Sequence, residues 1–100
     1  MKAAVVAVNT PPVAVNDLFS VPCTSGAVLN VLANDTDKDG DPLTITSITQ
    51  PATPKITIAA DGKSLNYAPG NRCFVYDTFT YTISDGKGGT STATVTLIDP

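Results

Sequence analysis

The sequence predicts an all-β domain, a seven-stranded Greek-key β-sandwich, and three observations carry that expectation. Fifteen Thr, ten Val and six Ile make up nearly a third of the 100 residues. Such β-branched side chains lose rotamer freedom in a helix but pack well on a pleated sheet. Apolar residues recur with period two in short stretches, as they do in half-buried strands. Eight Pro and seven Gly punctuate those stretches, and there is no Glu. An apolar fraction of 42% with only 15% charged residues argues against disorder. A chain of this length forms one domain and buries roughly 60–68% of its unfolded surface, enough for one modest core.

The strands follow in order. Val13, Val15, Phe19 and Val21 lie on the first, with a slip near Asn16-Asp17 that suggests a bulge. Leu29 and Val31 mark the second, Leu43 and Ile45 the third, and Ile56 and Ile58 the fourth. Leu65 and Tyr67 mark the fifth, after an Asp61-Gly62 turn. Phe79, Tyr81 and Ile83 line the sixth, and Ala93, Val95 and Leu97 the seventh. Between the last two, Asp85-Gly86-Lys87-Gly88-Gly89 supplies residues that tolerate positive φ. Seven short strands at this spacing indicate a sandwich of the immunoglobulin-like kind.

No internal repeat is visible. Residues 1–12 read as an N-terminal tail and Pro-rich linker, 13–98 as the sandwich, and 99–100 as the start of a second linker. Met1–Val8 is too short for a signal-peptide core or a membrane span and reads as the boundary of an excised domain. Asn9-Thr10-Pro11-Pro12 is stiff and extended, because each Pro fixes φ and restricts its predecessor. A module taken from a tandem array has this form.

Composition excludes several chemistries. All nine acidic residues are Asp, His is absent, and the net charge is −3. Ser-His-Asp and Cys-His catalysis and His-ligated metals are therefore ruled out. An acidic chain with a single Arg is a poor partner for nucleic acid or anionic lipid.

The strongest local signal joins the second and third strands. Asp35-x-Asp37-x-Asp39-Gly40, followed by Asp41, matches the first six positions of an EF-hand loop. Calcium takes six to eight oxygens near 2.4 Å, so alternate carboxylates must converge while Gly lets the chain turn. Thr46 stands where an EF-hand has its bidentate Glu, inside the third strand. Further ligands must then come from elsewhere in the fold. Asp35, Asp37, Asp39 and Asp41 are the main candidates for calcium. The alternative is an Asp-rich turn that satisfies its own backbone N–H groups. Magnesium suits the loop less well, since it prefers few carboxylates and retained waters.

Topology extends the candidate set. In such a sandwich this loop, the Asp61 turn, the Asp85 loop and the start of the first strand share one pole. Asp61 and Asp85 are thus weaker candidate ligands, Asp-Gly being first of all a turn signal. Asp99 of one module would reach the acidic pole of the next. Asp77-x-Phe79-x-Tyr81 is similar to the entry of an immunoglobulin strand F, which makes Tyr81 a tyrosine-corner residue and Asp77 a corner-bonding one, with a ligand role the alternative. Ile83 stands where the second core Cys of an immunoglobulin would be.

Cys23 and Cys73 fall in connections at the opposite pole, where a bond between them is geometrically allowed. Closing a loop of about 50 residues would be worth roughly 4 kcal/mol in the chain-entropy model. A disulfide is the favoured reading and points to an extracytoplasmic compartment. Two buried thiols or a metal pair are the alternatives, although two Cys without His are too few for zinc. Gly86-Lys87-Gly88-Gly89 lacks the spacing of a phosphate loop. Asp41-Pro42 and Asp99-Pro100 are acid-labile dipeptides with no self-cleavage site around them. Arg72, Phe74 and Tyr76 read as corner packing, or else as an aromatic patch for a sugar ring. No base, nucleophile and stabiliser can be assembled, so no enzyme is expected.

Three segments carry a resemblance: Asn9–Ala14, Val31–Thr44 and Asp77–Thr90. Together they resemble the bacterial cadherin-like, immunoglobulin-like tandem repeats (VCBS-type) of large calcium-dependent surface adhesins, over about residues 9 to 98. The two Cys and the stretch Asn71–Tyr76 depart from that pattern. The resemblance implies calcium near the Asp loop and an extender role at the bacterial cell surface, between an anchor and a distal tip. The expected partners are neighbouring repeats of the same chain, and glycan or host surface through other modules. The isolated module is expected to be a monomer that neither binds nucleic acid nor inserts into a membrane. The alternative reading is a glycan-binding accessory domain of a secreted protein or polysaccharide-degrading enzyme.

Overall fold

The computed structural model describes residues 9–21, 26–49, 55–68 and 76–98. Within them the chain forms seven strands: β1 (Asp17–Ser20), β2 (Ala27–Leu29), β3 (Thr44–Ile48), β4 (Lys55–Ile58), β5 (Leu65–Ala68), β6 (Tyr76–Ser84) and β7 (Thr90–Ile98). They make two sheets, one of order β1-β7-β6-β3 and one of order β2-β5-β4. Pairing is antiparallel except for β1, which runs parallel to β7 with Asp17 opposite Val95. This is the immunoglobulin-like sandwich that the alternation predicts.

The core lies between the sheets and comes from the expected positions. Phe79, Tyr81 and Ile83 of β6 face Leu65 and Tyr67 of β5, Ile56 of β4 and Leu29 of β2 across the interior, while Ala93, Val95 and Leu97 of β7 turn to the same side. The intervening positions explain the Thr content. Thr78, Thr80 and Thr82 stand opposite Thr96, Thr94 and Thr92 on the outer face. There the Thr82 and Thr92 hydroxyls share a 2.9 Å hydrogen bond. Cross-strand Thr pairs of this kind support a sheet from its solvent side.

Three strands are shorter than the alternation suggests; β3 begins at Thr44 and leaves Leu43 outside it. Val31 is fully buried as expected, yet it opens a 3₁₀ turn over Val31–Asn34 and does not continue β2. The first strand is split at Asn16. Val13 makes only an isolated bridge to Thr36, and β1 begins at Asp17. The slip at Asn16-Asp17 is real but marks a change of partner. The Asn16 side-chain oxygen accepts the Thr94 N–H at 2.9 Å, taking a ladder position. Val13 and Val15 consequently stay exposed.

The connections β2–β3, β4–β5 and β6–β7 meet at one end. Lys63 Nζ donates to the Leu43 carbonyl at 2.6 Å, and the Ile45 N–H donates to the Gly62 carbonyl at 2.8 Å. Residues 9–14 cross this end as a strap. Asn9 and Thr10 bond to loop carboxylates, Val13 pairs with Thr36, and the Ala14 N–H donates to Ser91 Oγ at 3.0 Å.

Candidate metal centre

The turn after Thr36 builds half of the site. The Gly40 N–H donates to the Asp37 carbonyl at 3.1 Å, and Gly40 itself sits at φ 77°, a conformation that disfavours any side chain. The reversal brings Asp41 back beside Asp37. Asp37 Oδ1 accepts the N–H groups of Asp39 (2.8 Å) and Asp41 (3.3 Å), which leaves Oδ2 for the site. This is an Asx-type turn, so one oxygen of Asp37 does structural work and the other does not.

The β6–β7 loop builds the other half. Asp85 is 3% exposed, and its Oδ1 accepts the N–H groups of Lys87 (2.8 Å) and Gly89 (3.0 Å). Asp85 Oδ2 accepts Asn9 Nδ2 at 2.6 Å. These bonds, the Asn9 one foremost, favour the ionised form and hold the Asp85 carboxyl below its usual range.

One carboxylate oxygen from each of Asp37, Asp41 and Asp85 lies within 4.8 Å of the others. Two oxygens bound to one calcium ion near 2.4 Å can be at most about 4.8 Å apart. The spacing therefore fits. Charge points the same way. The Asp41 side chain is 8% exposed, and its Oδ1 is paired with Lys87 Nζ at 2.7 Å. That pairing raises the Lys87 ammonium above its ordinary pKa. Asp37 Oδ2 and Asp41 Oδ2 are buried and take no hydrogen-bond partner among the described residues. A buried carboxylate oxygen without a donor is costly. A hard cation would supply what both oxygens lack, and among the described residues these three could hold it.

The other described candidates take different partners. Asp35 is buried beneath the loop, its Oδ1 accepting the Val15 N–H (2.8 Å) and its Oδ2 the Tyr81 hydroxyl (2.6 Å). Asp39 Oδ2 accepts the Thr10 N–H at 2.6 Å, on the strap. Asp61 Oδ1 accepts the Lys63 N–H at 3.0 Å within its own turn. Asp77 Oδ1 accepts the N–H of Thr78 at 2.8 Å. Asp99, Cys23 and Cys73 lie outside the described residues, as do Arg72 and Phe74.

Tyr81 is structural, though not through a corner at its own strand's entry. Its hydroxyl donates to Asp35 Oδ2, with the Val15 and Val31 carbonyls and Asp17 Oδ2 at 3.1–3.2 Å. Burial, then Asp35, pushes the hydroxyl well above the usual tyrosine range. Burial also pushes the Asp17 carboxyl up, against bonds from Asn34 and Tyr81.

Lys87 and Asn9 are site residues that sequence reasoning leaves as turn and linker. The Asp-Gly-Lys-Gly-Gly run signals only a loop, and nothing local shows which loop it will face. The profile of the family described as Bacterial Ig domain matches residues 9–98. Among curated proteins none matches the chain.

Proposed function

The chain belongs to the Bacterial Ig domain family, and from that premise we propose that it is a calcium-rigidified spacer repeat of an extracellular bacterial adhesin. Domains of this family are structural repeats, typically of extracellular or surface proteins, and are generally non-catalytic. One observation carries the finer reading. Asp37 and Asp41, each with a buried oxygen that takes no partner among the described residues, converge with Asp85 where the strap enters the sandwich. Bound calcium would neutralise the facing carboxylates of two loops, and Asp85 would join that pole to Asn9. A preceding repeat would then continue from a fixed strap, and a row of such modules would be stiff. Asp39, which holds Thr10, adds a second anchor to the same strap. Three carboxylates fill about half of a calcium shell, which leaves positions for water or for a group from the neighbouring repeat.

The test is a thermal melt in calcium and in chelator. Calcium at about ten times its Kd adds about 1.4 kcal/mol, a rise of roughly 5–10 °C for a domain of this size. Equal midpoints would remove the calcium. A two-copy tandem of the chain, followed by small-angle scattering, should lengthen in calcium if the junction stiffens. The glycan-binding alternative rests on Tyr76, which is 65% exposed. Glycan-array binding that is lost in Y76A would favour it.

A further inference from the structure

We propose that Lys87 is a tethered counter-cation that sets the concentration at which a divalent ion enters the carboxylate site. The proposal rests on the reading of Asp37, Asp41 and Asp85 as a calcium site. Lys87 touches both halves of that site: its N–H donates to Asp85 Oδ1 at 2.8 Å, and its ammonium pairs with Asp41 Oδ1 at 2.7 Å. The backbone contact fixes where the side chain starts, so the ammonium is delivered to the site by the loop that carries Asp85.

One positive charge does not match three carboxylates. The ammonium engages one oxygen of Asp41 and leaves Asp41 Oδ2 and Asp37 Oδ2 without partners among the described residues. A doubly charged ion answers that deficit, but it arrives next to an ammonium that repels it. Calcium affinity in such sites is set largely by the ligand charge count. Lys87 lowers the effective count by one and shifts binding to higher calcium. Its side chain is 64% exposed, so the ammonium can move away without breaking a packed contact. Without the ion, the same ammonium partly neutralises the pole and holds the two loops together. Lys87 thus stabilises the ion-free form and weakens the ion-bound one.

The experiment is calorimetric titration of Ca²⁺ into the wild-type chain, K87Q and K38Q at physiological ionic strength. Lys38 lies on the Asp loop itself and controls for loss of charge alone. K87Q should bind about two- to fivefold more tightly, the range of an exposed ion pair. K38Q should change the Kd less than about 1.5-fold, since salt screens charges not in contact. Melts in chelator should show K87Q less stable than wild type, opposite in sign to its gain in calcium affinity. Unchanged or weaker binding by K87Q, or an equal gain in K38Q, overturns the proposal while leaving the calcium site standing. Absence of binding by all three chains overturns the calcium reading itself.

Discussion

The Tyr81 hydroxyl donates to Asp35 Oδ2 at 2.6 Å, joining the middle of β6 to the loop that carries the carboxylate site. Both residues are buried, and Asp35 also accepts the Val15 N–H, so one carboxylate ties three chain segments together. Y81F keeps the ring in the core but leaves a buried carboxylate oxygen without its donor. The expected loss is about 1.5–3 kcal/mol, the value of a hydrogen bond to a charged group. Urea unfolding of the two proteins checks it, and a loss under about 0.5 kcal/mol would show that water takes over the hydroxyl's role.

Asp17 makes a pH prediction. Its Oδ2 lies 3.2 Å from the Tyr81 hydroxyl, and burial raises its pKa above that of the unfolded chain. A raised carboxyl contributes stability that is fully present below the unfolded value, about 3.9, and lost as pH rises through the folded one. Toward pH 7 burial of the Asp17 carboxyl, with Asp35 beside it, therefore opposes folding. D17N should melt above wild type at pH 7, and its advantage should shrink toward pH 4. Asp85 shifts the other way and loses its contribution as pH falls, but it does so in both proteins and cancels in the difference. An advantage that grows on acidification would reverse the assignment.

D37N separates a metal ligand from a turn residue. An Asn retains the Oδ1 that accepts from Asp39 and Asp41, and replaces only Oδ2, which has no partner among the described residues. In chelator the variant should gain up to about 1 kcal/mol, because repulsion between the carboxylates falls. In calcium it should lose the ion-dependent rise in midpoint. Melts under both conditions check the crossing of signs, and a calcium response equal to that of wild type would remove Asp37 from the site.

How far the sequence could be read depended on where period two holds. β6 and β7 are nine residues each and alternate throughout, so Phe79 to Ile83 and Ala93 to Leu97 are legible as core. The Asp loop is not a strand, and there the spacing does not fix where each side chain goes. The 3₁₀ turn over Val31–Asn34 aims Asp35 inward, and the turn at Gly40 sends Asp39 to the strap and Asp41 back to Asp37. Equal spacing in sequence becomes three different environments. Asp85 is discounted on local grounds because Asp-Gly is a turn signal, yet its Oδ2 takes a partner 76 positions away, Asn9. Lys87 is invisible for the same reason: its value depends on two loops meeting, which no local pattern encodes.

Gly89 supplies the remaining prediction. It does not need a positive φ; it needs the absence of a side chain. A Cβ built there would lie 2.5 Å from Asp85 Oδ2, 2.9 Å from Pro11 Cα and 3.1 Å from Asn9 Nδ2. Pro11 is backbone in a stiff Pro-Pro strap and cannot rotate away, so G89A must lift the strap or open the loop. The expected cost is about 1–3 kcal/mol, as for other overpacked sites. Lifting the strap also withdraws Asn9 from Asp85, so the damage should be local to the pole. Amide hydrogen exchange of the G89A chain should show lost protection at Val13 and Ala14, the strap N–H groups bonded to Thr36 and Ser91, with β6 and β7 centres still protected. Unchanged protection along the strap would mean that residues 9–11 settle elsewhere without cost, and that the strap is not held by its packing on Gly89.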